Sequence, residues 1–350
     1  MYKLPIDIDI ETKEILKSAI IANANLAQLR ATLNRLPNPR IILNAITLIE
    51  AKESSEIENI ITTFDDLYKE LTLKDTMYPS AKEVLNYRKS IIEGRRLVES
   101  SGFISTNMIA QIHHIIEPER GSIRKTLGTV IMNSKTKEII HTPPQTEKEV
   151  RDFLANLEEY INNHEDDIDP LIRMAVIHMQ FEMIHPFYDG NGRVGRVLNL
   201  MYLFLTKKLE VPILYLSRYI INNKEVYYDL LKEAGESTEA VTKFILFMLD
   251  AVNVTSVETM QFVEEVLKSF EVTTDLIKKE LPKIYSRELV EAIYYEFYTK
   301  NEYFAKELSV SRNTATTYLK SLEKIGILKS EKIGIEVIYK NLRLFELTGK

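Results

Sequence analysis

The chain has 350 residues, 45% of them hydrophobic, long enough for two or three units that each bury a core. Its 45 basic and 51 acidic residues leave a formal charge of −6, which excludes a general polyanion-binding character. With no cysteine, disulfides and thiolate metal sites are excluded as well, and a reducing compartment is permitted.

The opening segment, MYKLPIDIDIETKEIL, carries charges where a signal peptide needs an apolar stretch. No run is read as approaching the roughly 18 apolar residues of a membrane span, so the expectation is a cytoplasmic protein without a membrane partner. Apolar residues recurring at three and four predict helices over 11–33, 41–68, 80–100, 106–116, 147–162 and 169–184, with Pro37-Asn38-Pro39 and Tyr78-Pro79 as breakers. Within the second of these, TLIEAKESSEIENI sets Ser54 and Glu58 on one helical face, which taken alone reads as an acidic solvated surface. His113 and His114 are adjacent, so on a helix they point about 100° apart and share a metal poorly.

Between Gly128 and Pro144 two short β-prone runs, 129–132 and 138–141, flank a polar Asn133-Ser134-Lys135 turn and predict a hairpin in a helical protein. Asp169-Pro170 is an N-cap followed by proline at the first helical position. The helix it opens carries His178, Glu182 and His185 on one face, a set that fits either a transition metal or core packing.

That helix runs into HPFYDGNGRVGR, residues 185–196. Gly190 and Gly192 bracket Asn191, so the backbone is expected to turn successive N–H groups toward one point, a nest for anions. The following stretch, 193–205, is apolar enough to be a buried helix whose N-terminus adds its dipole. Arg193 and Arg196 are three apart and share a face, so both can grip one polyphosphate. Asp189 is a hard oxygen ligand suited to Mg²⁺ alongside phosphate oxygens, and His185 is suited to proton abstraction near neutrality. DGNGR by itself also fits a plain turn with a solvated basic start.

From about Ser286 the order is helix, short helix, turn, helix and two strands, a winged-helix pattern whose second helix-turn-helix element covers 311–324. Ser311 is the expected cap, and Arg312, Asn313, Thr316, Thr317 and Lys320 are expected to face outward. Beyond Leu281 there are 12 basic and 9 acidic residues, a weak excess for a DNA surface.

The string HPFYDGNGRVGR resembles the Fic-family motif HPFxDGNGRxxR at every fixed position, and the competing phosphate loop GxxxxGK[ST] is absent. The resemblance implies a mainly α protein: a Fic-type helical core with a small β-hairpin flap, plus a C-terminal winged helix (α+β). It implies AMP transfer from ATP to a Ser, Thr or Tyr hydroxyl of a protein target, with the chain itself among the candidate targets. His185 would take the proton, and Asp189 would hold Mg²⁺. Gly190, Asn191 and Gly192 would form the anion hole, and Arg193 and Arg196 would bind the β and γ phosphates. In a relative that acts as a kinase a lysine replaces the last glycine of the motif; Gly192 here favours adenylyl transfer.

Taken alone the 128–144 hairpin fits a surface ornament; the same resemblance makes it a target-clamping flap, with Val130 and Ile131 nearest the nucleotide. Ser54, Glu58 and Asn59 match the inhibitory pattern [S/T]xxxE[G/N], in which Glu58 pairs with Arg196; in some relatives this glutamate also supports removal of AMP. Tyr227 and Tyr228 by themselves fit plain core aromatics; in the resemblance tyrosines here line the adenine pocket, although Gly235 stands where many relatives have an asparagine. The expected division is 1–95 carrying the inhibitory motif, 96–250 as catalytic core, 251–282 as helical linker and 283–350 as winged helix, with a homodimer and DNA as further partners. The competing readings are a nucleotide-responsive DNA-binding regulator, and a Fic enzyme using another donor such as UMP or phosphocholine.

Overall fold

The computed structural model describes residues 2–36, 38–72, 78–132, 139–163 and 165–348. Helix α1 (Lys13–Leu33) starts at Thr12, whose side chain accepts from the Ile15 amide, and buries Ile15, Ala22, Leu26 and Leu29 along one stripe. The single helix expected over 41–68 is two, α2 (Arg40–Ile57) and α3 (Phe64–Thr72). Asn59 is left-handed at φ 63, and the β-branched run Ile60-Ile61-Thr62-Thr63 follows it, which disfavours helix. Glu58 therefore caps α2 instead of riding mid-helix.

Helix α4 (Pro79–Ser101) has proline in its first turn and stops at left-handed Gly102. After α5 (Thr106–Ile116), strands β1 (Ile131–Met132) and β2 (Ile139–His141) pair antiparallel, with Ile131 opposite His141. The expected Asn133-Ser134-Lys135 turn and Glu138 lie outside the described residues. Helix α6 (Glu147–Asn162) opens with a full capping box between Thr146 and Glu149.

The centre is built from α7 (Pro170–Ile184) and α8 (Asn191–Leu205), which pack together. Every residue from Leu171 to Ile184 is buried, so α7 is a core helix with polar residues that must find partners inside the protein. Helices α9 (Leu216–Asn222) and α10 (Lys224–Ala234) lead to α11 (Thr238–Glu280). The expected boundary at 250/251 falls inside α11, where Ala251 and Val252 are fully buried. By length and hydropathy α11 passes the test for a membrane-crossing helix, contrary to the sequence reading; here Phe244, Ile245, Met248 and Leu249 are buried, and the helix packs on α1 and α7.

Beyond it come α12 (Arg287–Tyr294), β3 (Tyr298–Lys300), α13 (Asn301–Glu307), α14 (Arg312–Lys324), β4 (Leu328–Ile333), β5 (Glu336–Asn341) and α15 (Leu342–Thr348). The three strands form an antiparallel sheet in the order β3-β5-β4. Strand β3 escaped the sequence reading because three residues show no period; its pairing of Thr299 with Tyr339 makes it a strand. This C-terminal unit docks on α3 and α2 through Tyr68 stacked on Phe297 at 4.4 Å, a Tyr298 hydroxyl bond to Asp65, and Asn44 Nδ2 donating to the Tyr295 carbonyl at 2.8 Å.

Candidate active site

Helix α7 ends at His185, which is left-handed at φ 47, a conformation costing a non-glycine residue about 1–2 kcal/mol. Arg124, which the sequence reading passed over, supports it. Its Nε donates to the His185 carbonyl at 2.7 Å, and Nη2 donates to the carbonyls of Pro144 at 2.5 Å and Ile184 at 3.2 Å. One buried guanidinium thus satisfies carbonyls left open at the end of α7 and ties them to the base of the hairpin. Burial pushes the His185 imidazole down to about 4, so at neutral pH it is the uncharged form that accepts a proton. Its Nδ1 is buried and has no hydrogen-bond partner among the described residues.

The turn after His185 is locked by Asn191, whose side-chain oxygen accepts from the Phe187 amide and whose side-chain nitrogen donates to the Phe187 carbonyl, both at 2.8 Å. The two glycines of the nest have different physical reasons. Gly190 is left-handed at φ 76 and caps α8, which begins at Asn191, two residues earlier than expected. Gly192 is already helical; a Cβ there would stand 2.4 Å from Glu58 Oε1 and 3.0 Å from Arg196 Nη1. It is a gap that a carboxylate occupies. The first-turn N–H groups of α8 have no intrahelical acceptor, a geometry suited to an anion, with the helix dipole behind them.

Both arginines are buried and each is engaged. Arg196, 1% exposed, donates from Nε to Ser54 Oγ at 2.7 Å and from Nη2 to the Ser54 carbonyl and Glu58 Oε1, both at 2.9 Å. Arg193, 3% exposed, donates from Nη2 to Glu117 Oε1 at 2.5 Å and has Glu83 at 3.9 Å. Lys224 on α10 donates to the Ile57 carbonyl at 2.5 Å, pinning the end of α2 that presents Glu58. Deeper in, Glu50 accepts from Tyr87 at 3.0 Å and from the Ser217 amide and hydroxyl at 3.0 and 2.5 Å, while burial raises its carboxyl to about 6. Burial also raises Glu182, close by, to about 8, which keeps it protonated at neutral pH.

Asp189 Oδ1 accepts from the Gly190 amide at 2.7 Å, and Oδ2 lies 3.4 Å from Arg120 Nη2. Its side chain is 47% exposed, and no group of three or more potential metal ligands occurs among the described residues. One open carboxylate suits a hard cation whose other ligands are phosphate oxygens and waters.

Of the remaining candidates, Val130 is 36% exposed and Ile131 half-buried on the hairpin. Tyr227 is a core residue sharing a 2.8 Å hydrogen bond with His178 Nε2, so of the tyrosine pair only half-buried Tyr228 is open to a ligand. His178 spends its Nδ1 on Asn199 at 3.2 Å, which leaves no ring nitrogen for the metal alternative. His113 stacks on Phe187 at 3.9 Å and meets the Asp189 carbonyl with Nε2 at 3.1 Å; His114 is exposed. Gly235 caps α10, and a Cβ there would come within 3.7 Å of His141 on β2. Glu117, Arg120, Arg124, Glu50 and Lys224 were not singled out; the first three lie in IHHIIEPERGSIRKT, which resembles the family's lead into the flap, and the other two carry no local signal.

Three family models match the chain: "Fic/DOC family N-terminal" over 16–96, "Fic/DOC family" over 103–203, and "Protein adenylyltransferase SoFic-like, C-terminal domain" over 270–344. A probable protein adenylyltransferase of Aquifex aeolicus is 28% identical over 206 residues, covering 57% of this chain and 59% of that protein. Protein adenylyltransferase Fic of Aedes aegypti is 26% identical over 155 residues, 44% of this chain and 29% of that one. The chain thus spans less than two thirds of these relatives. The crystal structure of a Fic family protein from Desulfovibrio desulfuricans shares the fold with a TM-score of 0.55 at 19% identity, covering 93% of this chain and 95% of that one. With the complete motif at the junction of α7 and α8, these matches place the chain in the Fic/DOC family.

Proposed function

We propose that this chain transfers AMP from ATP to a Ser, Thr or Tyr hydroxyl of a protein target, and that Glu58 holds it in an inactive state. The observation that carries the reading is His185 at the end of α7, beside left-handed Gly190 and the first turn of α8, with two buried arginines behind it. The relatives named as adenylyltransferases support it.

In this reading the target oxygen bonds to the α-phosphorus as the bond to the bridging oxygen of the β-phosphate breaks. The hydroxyl proton passes to the His185 imidazole, and pyrophosphate leaves. A positioned base of this kind contributes about 10²–10⁴-fold, and the N–H groups of the nest stabilise charge on the phosphate oxygens. Arg193 and Arg196 orient the β and γ phosphates. Asp189 would hold Mg²⁺, which when bound neutralises phosphate charge. Hairpin β1-β2 presents the target segment by strand addition beside Val130 and Ile131. Because Arg196 is committed to Glu58 and Ser54, a γ-phosphate must displace a carboxylate to reach it. That competition is the basis proposed for autoinhibition.

The test is a transfer assay with ATP labelled separately at the α and γ phosphates, comparing wild type, Glu58→Gly and His185→Ala, with release of label from modified target followed in parallel. Label from the α position alone, raised in the first variant and lost in the second, supports the proposal. Label from γ alone makes the protein a kinase, and a Glu58→Gly variant no faster than wild type removes autoinhibition. A second reading, a nucleotide-responsive DNA-binding regulator, draws on the exposed Arg312, Asn313, Thr317 and Lys320 of α14. Operator binding without covalent label in any variant would favour it.

A further inference from the structure

Four successive carbonyls at the end of α7, those of Met183, Ile184, His185 and Pro186, all accept hydrogen bonds from hairpin β1-β2 and the segment leading into it. His141 on β2 donates from Nε2 to Met183 at 3.1 Å; a carbonyl only accepts, so this nitrogen carries the ring proton. Arg124 donates from Nη2 to Ile184 at 3.2 Å, from Nε to His185 at 2.7 Å and from its amide to Pro186 at 2.9 Å. The last carbonyls of a helix find no donor within it, and here the hairpin supplies donors from outside.

The hairpin is also fastened to itself. Arg124 Nη2 reaches the Pro144 carbonyl at 2.5 Å, and Gln145 Oε1 accepts from the Gly128 amide at 2.8 Å. Gln145 Nε2 donates to the carbonyls of Thr129 and Pro143 at 3.0 and 2.7 Å, so both limbs are joined below the strands. The φ and ψ of His185 are set by the two peptide planes flanking its Cα, which contain the Ile184 and His185 carbonyls. One guanidinium holds both planes at a residue that is left-handed at φ 47. No side chain among the described residues bonds the buried His185 Nδ1, so the direction of the imidazole rests on the main chain.

We infer that Arg124 and His141 are positioning residues that fasten the hairpin and the end of α7 into one rigid piece, so that a hydroxyl on a segment paired with β1 meets His185 at a set distance and angle. The consequence for catalysis rests on the proton transfer and strand addition proposed above; the fastening does not. Without it the nucleotide contacts remain but the proton acceptor is misplaced, and a displacement of about 1 Å costs on the order of 10²-fold. The loss falls on the maximal rate and spares KM for ATP.

The test places His141→Leu, His141→Gln and Arg124→Lys in the Glu58→Gly chain. Labelling from α-labelled ATP, of the chain itself and of proteins in a lysate, is timed across ATP concentrations and expressed per ATP-binding chain counted by calorimetry. The His185 imidazole is titrated by NMR, in a chain with six histidines. His141→Leu and Arg124→Lys should lower the maximal rate about tenfold or more with KM for ATP within about twofold. They should also move the His185 titration up from about 4 toward 6.5 as water reaches the ring. His141→Gln keeps an N–H donor and should restore both; leucine and glutamine are equally uncharged, so their difference isolates the hydrogen bond. Leucine and glutamine behaving alike in both readouts, or a raised KM for ATP at an unchanged maximal rate, overturns the proposal. Should Arg124→Lys not fold, the His141 pair decides. A Glu58→Gly chain that labels neither itself nor any lysate protein removes the proposed activity instead, and an unmoved His185 titration in His141→Leu then overturns the fastening.

Discussion

The centre around Arg196 and the outer face of α14 both carry arginines on a helix, yet the two are physically opposite. Arg193 and Arg196 are nearly sealed from solvent, each facing a carboxylate brought from another helix or its end. Arg312 on α14 is 76% exposed, with Glu302 at 3.9 Å as its ion-pair partner. Removing one member of a buried pair strands a charge, whereas an exposed pair contributes about 0–1 kcal/mol. A buried pair can therefore act as a switch, because one occupant must be exchanged for another. An exposed one has water as a ready substitute.

The strongest break of this comparison lies at His185. His185→Ala should lower transfer by about 10²-fold or more while ATP binding, read by calorimetry, changes little. Glu58→Gly comes next: it should raise transfer by about tenfold or more and lower stability by about 1–3 kcal/mol, with ATP restoring the melting temperature because the γ-phosphate supplies the missing anion. Loss of stability without rescue by ATP would mean that Glu58 is structural only.

The pH dependence sharpens the contrast further. His185 titrates near 4 in the folded chain against 6.5 when free, so between those values the unfolded chain binds a proton the folded one refuses, and stability falls as pH is lowered through that window. Glu182 runs the other way. At about 8 against 4.5 it keeps its proton in the fold, so its contribution is present below 4.5 and is lost as pH rises toward 8. Glu182→Gln, which mimics the protonated form, should flatten that second slope, seen as a smaller drop in melting temperature from pH 6 to 8 than in wild type. The smallest effect is expected on α14, where Arg312→Ala should change stability by less than about 0.5 kcal/mol and leave transfer unchanged. A larger change in either would show that this face is not a simple solvated surface.

Much of the centre was legible because its signals are local. Asp169-Pro170 marked the start of α7, and the glycines of the 185–196 string marked the turn into α8. The resemblance added the roles of Glu58 and Arg196, and the geometry agrees in pairing them. What stayed hidden depends on other parts of the chain. Gly192 read as a turn glycine, but it is helical and leaves room for Glu58. Tyr227 read as either a core aromatic or a wall of the adenine pocket, and it is His178, 49 residues away in sequence, that claims its hydroxyl. The break at Asn59 was missed because the apolar spacing continues across it, while the left-handed residue carries no periodic signal.

The sequence alone therefore determined where the helices start, where the backbone turns to offer N–H groups, and which chemistry-bearing side chains stand beside that turn. These are matters of caps, glycines and spacing within a few residues. Only the tertiary structure decided what each buried charge faces: Glu58 with Arg196 across 138 residues, and Glu117 with Arg193 across 76. A guanidinium removed from water requires a counter-charge close at hand, and which carboxylate supplies it is settled by how the helices pack.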